Sequence, residues 1–290
     1  MRALVVGLLP HESGKTTVVL HLARELRSRG MRVGYAKPVA GHDGWRQVDS
    51  LRASLELGVL VGHDAFVISR ELGLLEKLLL VNPLDVLSLP PDPLSFRSAR
   101  SYVDAVDDIL HTAVLCRLAK LEGGAPRAKY FVIGENAARL SPKLGAIVRR
   151  LLEAFGEREP QLRSPAWLWD ILNSPETYSA VDEALLELER QGFDAFVIEG
   201  YNDVSAPTPA SANVGYAIVV APGRALVYEG SRYSRAVEVL SGGRPWALRT
   251  GTALEVLGSP LASVELQSLL DEDEYREAIE KLADVVAGKS

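Results

Sequence analysis

The chain has 290 residues, of which 47% are hydrophobic and 24% are charged, and these proportions are typical of a globular protein with a full core. Its 32 basic and 38 acidic side chains give a net charge of −6, which disfavours a general nucleic-acid binder because such proteins carry a basic surplus. The single cysteine, Cys116, excludes an internal disulfide and a cysteine-based zinc site.

The beginning of the chain predicts a strand, a loop, a helix and a second strand. Residues 3–6 form a short apolar run, residues 16–29 carry apolar side chains at helical spacing, and residues 32–36 are again suited to a strand. This order is a βαβ unit, which predicts two parallel strands joined by a right-handed crossover. The apolar start is too short for a signal peptide and lacks a cleavage site, so we expect a buried first strand.

The middle of the chain is interrupted by proline, glycine and polar segments. The elements predicted there are two helices in 46–80, irregular structure in the proline-rich segment 82–95, a helix in 98–110, a hairpin of 111–121 and 128–134, a helix in 144–155, a loop in 157–175 and a helix in 181–191.

Strands and helices alternate again after residue 192. The predicted strands are 193–198, 216–220, 225–228 and 246–249, and the predicted helices are 231–240 and 275–287. No run of about 18 apolar residues occurs, so we expect no membrane-spanning helix and a cytoplasmic protein.

A phosphate-binding pattern follows the first predicted strand. The sequence reads Gly7-Leu-Leu-Pro-His-Glu-Ser-Gly14-Lys15-Thr16-Thr17, with the first glycine two positions earlier than in the usual spacing. Glycine lets backbone amides close around phosphate, the lysine amine binds the outer phosphates, and the threonine hydroxyl can ligate Mg²⁺. Between a strand and a helix, this pattern favours a nucleotide site over an ordinary loop with a chance Gly-Lys-Thr.

The pattern and the element order together predict an α/β protein with the three-layer fold of P-loop NTPases. Its central sheet is expected to be mostly parallel, with an inserted α+β cap region. We assign residues 1–97 and 176–290 to the nucleotide-binding domain and residues 98–175 to the hairpin and helices of the cap.

Charged residues near the ends of later elements extend the predicted site. Ligands of parallel sheets bind beyond the carboxyl ends of the strands, so Lys37 is expected to face the phosphates and to stabilise a transferring phosphoryl group or an anionic acceptor. Asp49 and Glu199 are predicted to hold Mg²⁺ directly or through water. Asp43 and Asp203 remain alternatives to Asp49 and Glu199, respectively.

The nucleotide base is expected to contact Arg249-Thr250-Gly251-Thr252, the loop after the last predicted strand, although a plain strand-to-helix turn is an equal alternative. Thr250 is therefore a candidate nucleotide-binding residue. The Asn-Lys-x-Asp and Asp-x-x-Gly strings of common GTPases do not occur in the chain, which favours ATP over GTP.

The spacing of Glu12-Ser-Gly14-Lys15-Thr16, Lys37-Pro38-Val39, Asp49, Asn82-Pro83 and Glu199-Gly200 resembles dethiobiotin synthetase over roughly residues 1–95 and 193–250. The chain also resembles a broader archaeal group of predicted P-loop ATPases or GTPases. The resemblance implies a P-loop fold, a homodimer, and use of ATP to activate a carbamate. The site residues that it implies are Glu12, Ser13, Gly14, Lys15, Thr16 and Thr17 for phosphate, Thr16, Asp49 and Glu199 for Mg²⁺, and Lys37 for catalysis.

These features predict an ATP-dependent ligase or ATPase that activates a small carboxylate or carbamate by phosphoryl transfer. Its catalytic residues would be Lys15, Lys37 and Glu199, its cofactors ATP and Mg²⁺. The expected partners are a nucleoside triphosphate, a small anionic or amine substrate and a second copy of the chain, without nucleic acid or membrane. Two alternatives stay open: a regulatory ATPase or GTPase of the partition or metallo-chaperone type that acts on a protein partner, and a nucleotide sensor that does not hydrolyse its ligand.

Overall fold

The computed structural model describes residues 1–266 and 271–288. Within these residues the strands are β1 (Arg2–Gly7), β2 (Val33–Ala36), β3 (Val39–Asp43), β4 (Leu84–Ser88), β5 (Ala113–Glu122), β6 (Ala125–Ile133), β7 (Gln161–Arg163), β8 (Ala195–Glu199), β9 (Tyr216–Ala221), β10 (Arg224–Glu229) and β11 (Ala262–Glu265). The helices are α1 (Lys15–Ser28), α2 (Val48–Leu57), α3 (His63–Leu72), α4 (Leu78–Val81), α5 (Ala99–Val106), α6 (Ile109–Thr112), α7 (Gly134–Ala137), α8 (Pro142–Ala154), α9 (Pro165–Asn173), α10 (Pro175–Glu189), α11 (Pro209–Ala212), α12 (Gly230–Ser241), α13 (Thr250–Leu257) and α14 (Glu272–Val286).

The larger sheet has the strand order β11-β10-β9-β1-β8-β2. Strands β9, β1, β8 and β2 run parallel, whereas β10 and β11 add an antiparallel edge. The central strand β1 is buried from Ala3 onward, as expected of a parallel strand with both faces covered. The prediction of an α/β protein with a mostly parallel central sheet is confirmed.

Two groups of helices surround this sheet. Helix α1 packs on β1 and β8 and against α14, where Arg29 forms a 2.6 Å ion pair with Asp284. Helices α10 to α13 contact one another in succession, and α12 packs on β9 and β10. This arrangement is compatible with three layers, helix–sheet–helix.

A second, five-stranded sheet has the order β3-β4-β5-β6-β7. Its antiparallel β5–β6 pair is the predicted hairpin, and β3 pairs with β4 in parallel. Because β3 and β4 precede residue 97 and β5 to β7 follow it, this sheet contains strands from both sides of the predicted cap boundary. The division into 1–97, 176–290 and 98–175 stays a prediction.

Three local predictions are wrong. The proline-rich segment 82–95 contains β4, because its prolines flank the strand and leave residues 84–88 free to pair. The predicted strand 246–249 begins within a 3₁₀ turn over Pro245–Ala247 and retains only an isolated bridge from Arg249 to Val204, and β11 forms the sheet edge instead. The predicted loop 157–175 contains β7 and α9, whose start is marked by Pro165 and by the Ser164 hydroxyl, which accepts a hydrogen bond from the Trp167 amide.

Within residues 1–266 and 271–288, no helix combines the length and the apolar character that a membrane crossing requires.

Candidate functional site

The loop between β1 and α1 is shaped by two glycines. Gly14 has a φ of 89° and immediately precedes α1, a conformation that glycine adopts without a steric penalty. In the part of the chain that the structure describes, no side chain caps the first turn of α1 and this turn carries no acidic residue. The first-turn amides and the positive end of the helix dipole therefore suit an anion.

Gly7 is needed because Lys15 folds back across the loop. A Cβ at Gly7 would lie 2.4 Å from Ser13 Oγ and 2.6 Å from Lys15 Nζ. The Lys15 amine donates hydrogen bonds to Ser13 Oγ at 3.0 Å and to the Asn202 carbonyl at 2.8 Å. Burial lowers the pKa of Lys15 even though the neighbouring Glu199 opposes this shift. The early glycine of the sequence pattern thus provides the space that this lysine occupies.

Glu199 links helix α1 to the end of strand β2. Its carboxylate is fully buried at the end of β8. Oε1 accepts hydrogen bonds from Thr16 Oγ1 and from Lys37 Nζ, both at 2.8 Å, and Oε2 accepts one from Tyr35 OH at 2.7 Å. These contacts follow from topology, because β2 and β8 are parallel neighbours and end at the same edge of the sheet.

Asp64 belongs to this cluster, although sequence reasoning missed it. It lies in the first turn of α3, which packs against β2, and its carboxylate accepts a hydrogen bond from Lys37 Nζ. Burial alone would lower the pKa of Lys37, but Glu199 and Asp64 outweigh it and raise that pKa above its ordinary value. Burial would raise the pKa of Asp64, but Lys37 outweighs it and lowers that pKa. Lys37 is therefore a permanent cation between two carboxylates.

The structure brings most of the predicted site residues together. Residues 12–17 form the loop and the start of α1; among them Glu12 is exposed with a φ of 51°, and Thr17 is half-buried. Hydrogen bonds form two groups among the predicted site residues: Lys15 with Ser13, and Thr16 and Lys37 with Glu199.

Asp49 and Thr250 have other contacts. Asp49 is exposed on α2, where its carboxylate accepts a 2.9 Å hydrogen bond from Arg52. Thr250 is fully buried at the start of α13; its amide donates to the Asp203 carbonyl at 2.6 Å and its hydroxyl to the Val204 carbonyl at 3.0 Å. Thr250 thus supports the loop that supplies the Asn202 carbonyl to Lys15.

The two alternative acids also have local partners. Asp43 accepts a hydrogen bond from the Trp45 amide at 2.8 Å, and Asp203 lies 3.8 Å from Arg249. Among the residues with described positions, no group of three or more His, Cys, Asp or Glu side chains is arranged to hold a metal ion. The hydroxyl of Thr16 and the carboxylates of Glu199 and Asp64 are nevertheless hard oxygen donors, which suit Mg²⁺ that also binds phosphate.

Comparison of the chain with protein-family profiles, with curated proteins and with solved structures gives no match.

Proposed function

We propose that the chain is a P-loop NTPase that binds Mg-ATP and activates a small carboxylate or carbamate by phosphoryl transfer. One observation carries this proposal: Thr16 and Lys37 donate hydrogen bonds to the buried Glu199 at the carboxyl edge of a parallel sheet, and Asp64 pairs with the same lysine. This cluster lies beside a loop with uncapped helix amides. A purely structural ion cluster does not need such a loop next to it.

The loop holds the nucleotide phosphates in this proposal. Amides of residues 12–17, including those of Glu12, Ser13 and Thr17, surround the phosphate oxygens, and Gly14 lets the chain turn into α1. The Lys15 amine exchanges its contacts with Ser13 and the Asn202 carbonyl for phosphate oxygens. This exchange is favourable because an ammonium binds a phosphate anion more strongly than it binds neutral oxygens.

Thr16, Glu199 and Asp64 are the residues that would hold Mg²⁺ directly or through water. The ion, when bound, neutralises charge on the phosphates. Lys37 keeps its proton and stabilises the negative charge on the group that is transferred to the acceptor. Thr250 acts on the same site through the loop at Asn202, and Asp64 takes the part that the spacing predicted for Asp49.

The test combines a thermal-shift measurement with an assay of phosphate release. Mg-ATP at about 100 times its Kd should stabilise the folded chain by about 2.7 kcal/mol. Lys15→Ala should remove this stabilisation, whereas the matched Lys120→Ala, at an exposed position on β5, should keep it. Mg-GTP is measured in parallel, and stabilisation by it alone would transfer the proposal to GTP.

Phosphate release should depend on a small carboxylate or carbamate. Release that needs no acceptor, together with an ATP-driven change in mass by size-exclusion chromatography, would instead support the regulatory switch. Binding without any release would support the sensor. If neither Mg-ATP nor Mg-GTP stabilises the folded chain, all three functions are contradicted.

A further inference from the structure

A small polar cavity on the β3 side adjoins the Glu199 cluster, which consists of Thr16, Tyr35, Lys37, Asp64 and Glu199. It has a volume of about 10 Å³, roughly the space that one water molecule needs. Lys37 and Asp64 belong both to its wall and to the Glu199 cluster. The other polar side chains and the helix start that line it are His42, Gln47, Gly62 and His63.

One ring nitrogen of His42 is fixed by a buried carboxylate. His42 Nδ1 lies 2.9 Å from Asp85 Oδ1, and Asp85 Oδ2 accepts a 2.9 Å hydrogen bond from the Gly62 amide and lies 4.0 Å from the Arg117 guanidinium. Burial would raise the pKa of Asp85, but His42, Arg117 and Gly62 outweigh it, so the pKa is below its ordinary value. Because an ionised carboxylate only accepts hydrogen bonds, Nδ1 carries a proton, and in a neutral imidazole this is the only ring N–H.

The other ring nitrogen has no partner. Over the described ranges 1–266 and 271–288, His42 Nε2 and Gln47 Oε1 are both buried without a hydrogen bond, and His42 is only 5% exposed. With the proton on Nδ1, Nε2 is a hydrogen-bond acceptor. Two buried acceptors in the wall of one cavity indicate that a donor group belongs there, because an unpaired buried polar atom is unfavourable.

We propose that this cavity is a specificity subsite for the acceptor, and this inference rests on the proposed function. It takes an amino or hydroxyl group that the acceptor carries close to its reacting carboxylate, and His42 Nε2 accepts a hydrogen from that group. The volume admits one non-hydrogen atom, and an amino or hydroxyl group fits this limit. A carboxylate without such a group offers no hydrogen to His42 or Gln47.

The probes are glycolate, glycine and acetate, which share a carboxylate and differ in the donor group. In the presence of Mg-ADP, the wild-type chain should bind glycolate, glycine or both at least about tenfold more tightly than acetate, since a missing donor leaves a buried acceptor unpaired. His42→Asn keeps an amide hydrogen for Asp85 but removes Nε2, so this preference should disappear. His111→Asn is the matched control, because His111 forms an exposed 2.9 Å pair with Asp108; it should keep the preference.

A spectroscopic measurement on the wild-type chain decides the matter if His42→Asn does not fold. The ¹⁵N resonance of His42 Nε2 should move with glycolate or glycine and not with acetate, while that of His111 stays in place. Equal affinity for the three carboxylates, or a His42 resonance that none of them moves, means that the cavity holds water only and overturns the inference. Stabilisation by Mg-ATP is measured separately, so the proposed function can stand while the subsite fails, and the reverse.

Discussion

The chain contains two buried carboxylates with cationic partners, and they differ in what surrounds them. Within the described residues, the Glu199 carboxylate is hydrogen-bonded by the side chains of Thr16, Tyr35 and Lys37, and Thr16 lies in the first turn of α1, next to the loop that precedes this helix. Asp85 contacts His42 and Arg117, which lie buried in strands β3 and β5, and the amide of Gly62, which immediately precedes α3. We call the first cluster open, because the proposed function has its side chains exchange partners for a ligand, and the second closed, because the Asp85 carboxylate keeps its partners.

Arg117 shows why the Asp85 cluster is closed. It is fully buried, and it donates hydrogen bonds to the Leu60 carbonyl at 2.9 Å and to Asn82 Oδ1 at 2.8 Å. The amide nitrogen of Asn82 donates to the Lys37 carbonyl at 2.8 Å. The Asp85 cluster therefore fixes the backbone of Lys37, so that one group of buried charges positions the lysine through which the other group acts.

The largest expected effect comes from removing the charge of the closed cluster. Asp85→Asn should lower the free energy of unfolding by about 3–5 kcal/mol, because it leaves the Arg117 guanidinium buried without its ion-pair partner. Chemical denaturation measures this loss. The control is Asp108→Asn, whose partner His111 is exposed, and a change within about 0.5 kcal/mol is expected there. Equal losses in the two variants would remove the distinction between closed and open clusters.

A substitution in the open cluster should lower phosphate release from Mg-ATP. Glu199→Gln should lower phosphate release from Mg-ATP about 100-fold, because it removes the negative charge on which Thr16 and Lys37 converge. Steady-state kinetics per folded molecule measures the effect, with the exposed Glu238→Gln on α12 as the control. If Glu199→Gln lowers the free energy of unfolding but not phosphate release, Glu199 is a structural carboxylate like Asp85, and the two clusters do not differ in role.

Variants of two aspartates, Asp64 and Asp49, test which carboxylate supports Mg²⁺ binding at the open cluster. Asp64→Asn should raise the Mg²⁺ concentration needed for half-maximal phosphate release by about tenfold, because Asp64 accepts a hydrogen bond from Lys37 beside Glu199. Asp49→Asn should change this concentration less than about twofold, since Asp49 is exposed and paired with Arg52. A magnesium titration of the two variants checks the order; the reverse order would restore Asp49 as the metal-supporting carboxylate.

Local sequence signals predicted the part of the site that depends on one βαβ unit. The run from Gly7 to Thr16 has a strand before it and a helix after it, and parallel pairing then places Lys37 and Glu199 at the same sheet edge. Asp64 carries no such signal. It stands 27 positions after Lys37 in a helix start that also fits an ordinary acidic first turn, and only the packing of α3 against β2 brings it to the lysine.

Most of the second sheet could not be predicted either, because it also depends on contacts between residues that are far apart in the sequence. Its hairpin β5–β6 is local and was predicted, but β3 and β4 are short and lie about 40 residues apart, and a proline immediately precedes each of them. Without β4 there is no position for Asp85, and His42 has no recognisable partner. Thr250 stays a predicted nucleotide-binding residue; a 3₁₀ turn over Pro245–Ala247 precedes it where a strand was predicted, and its hydroxyl donates to the Val204 carbonyl.

The smallest expected effect is a dependence of stability on acid pH that both clusters share. The pKa values of Asp64 and Asp85 lie below their ordinary value of 3.8 in the folded chain. Each carboxylate therefore contributes stability that is fully present well above pH 3.8 and is lost as the pH falls through its folded-state pKa. The loss cannot exceed about 1.4 kcal/mol per pH unit for each group, because the unfolded chain takes up at most one more proton there.

Denaturation of the wild type and of Asp85→Asn at a series of pH values below about 4 separates the two contributions. The free energy of unfolding of the variant should fall less steeply with decreasing pH, because the side chain at position 85 no longer takes up a proton. The part of the decrease that is due to Asp64 should remain. Identical slopes would mean that Asp85 takes up its proton equally in the folded and unfolded chains. The pairing of Asp85 with Arg117 would then contribute nothing to stability that depends on charge, and the closed cluster would be held by its hydrogen bonds alone.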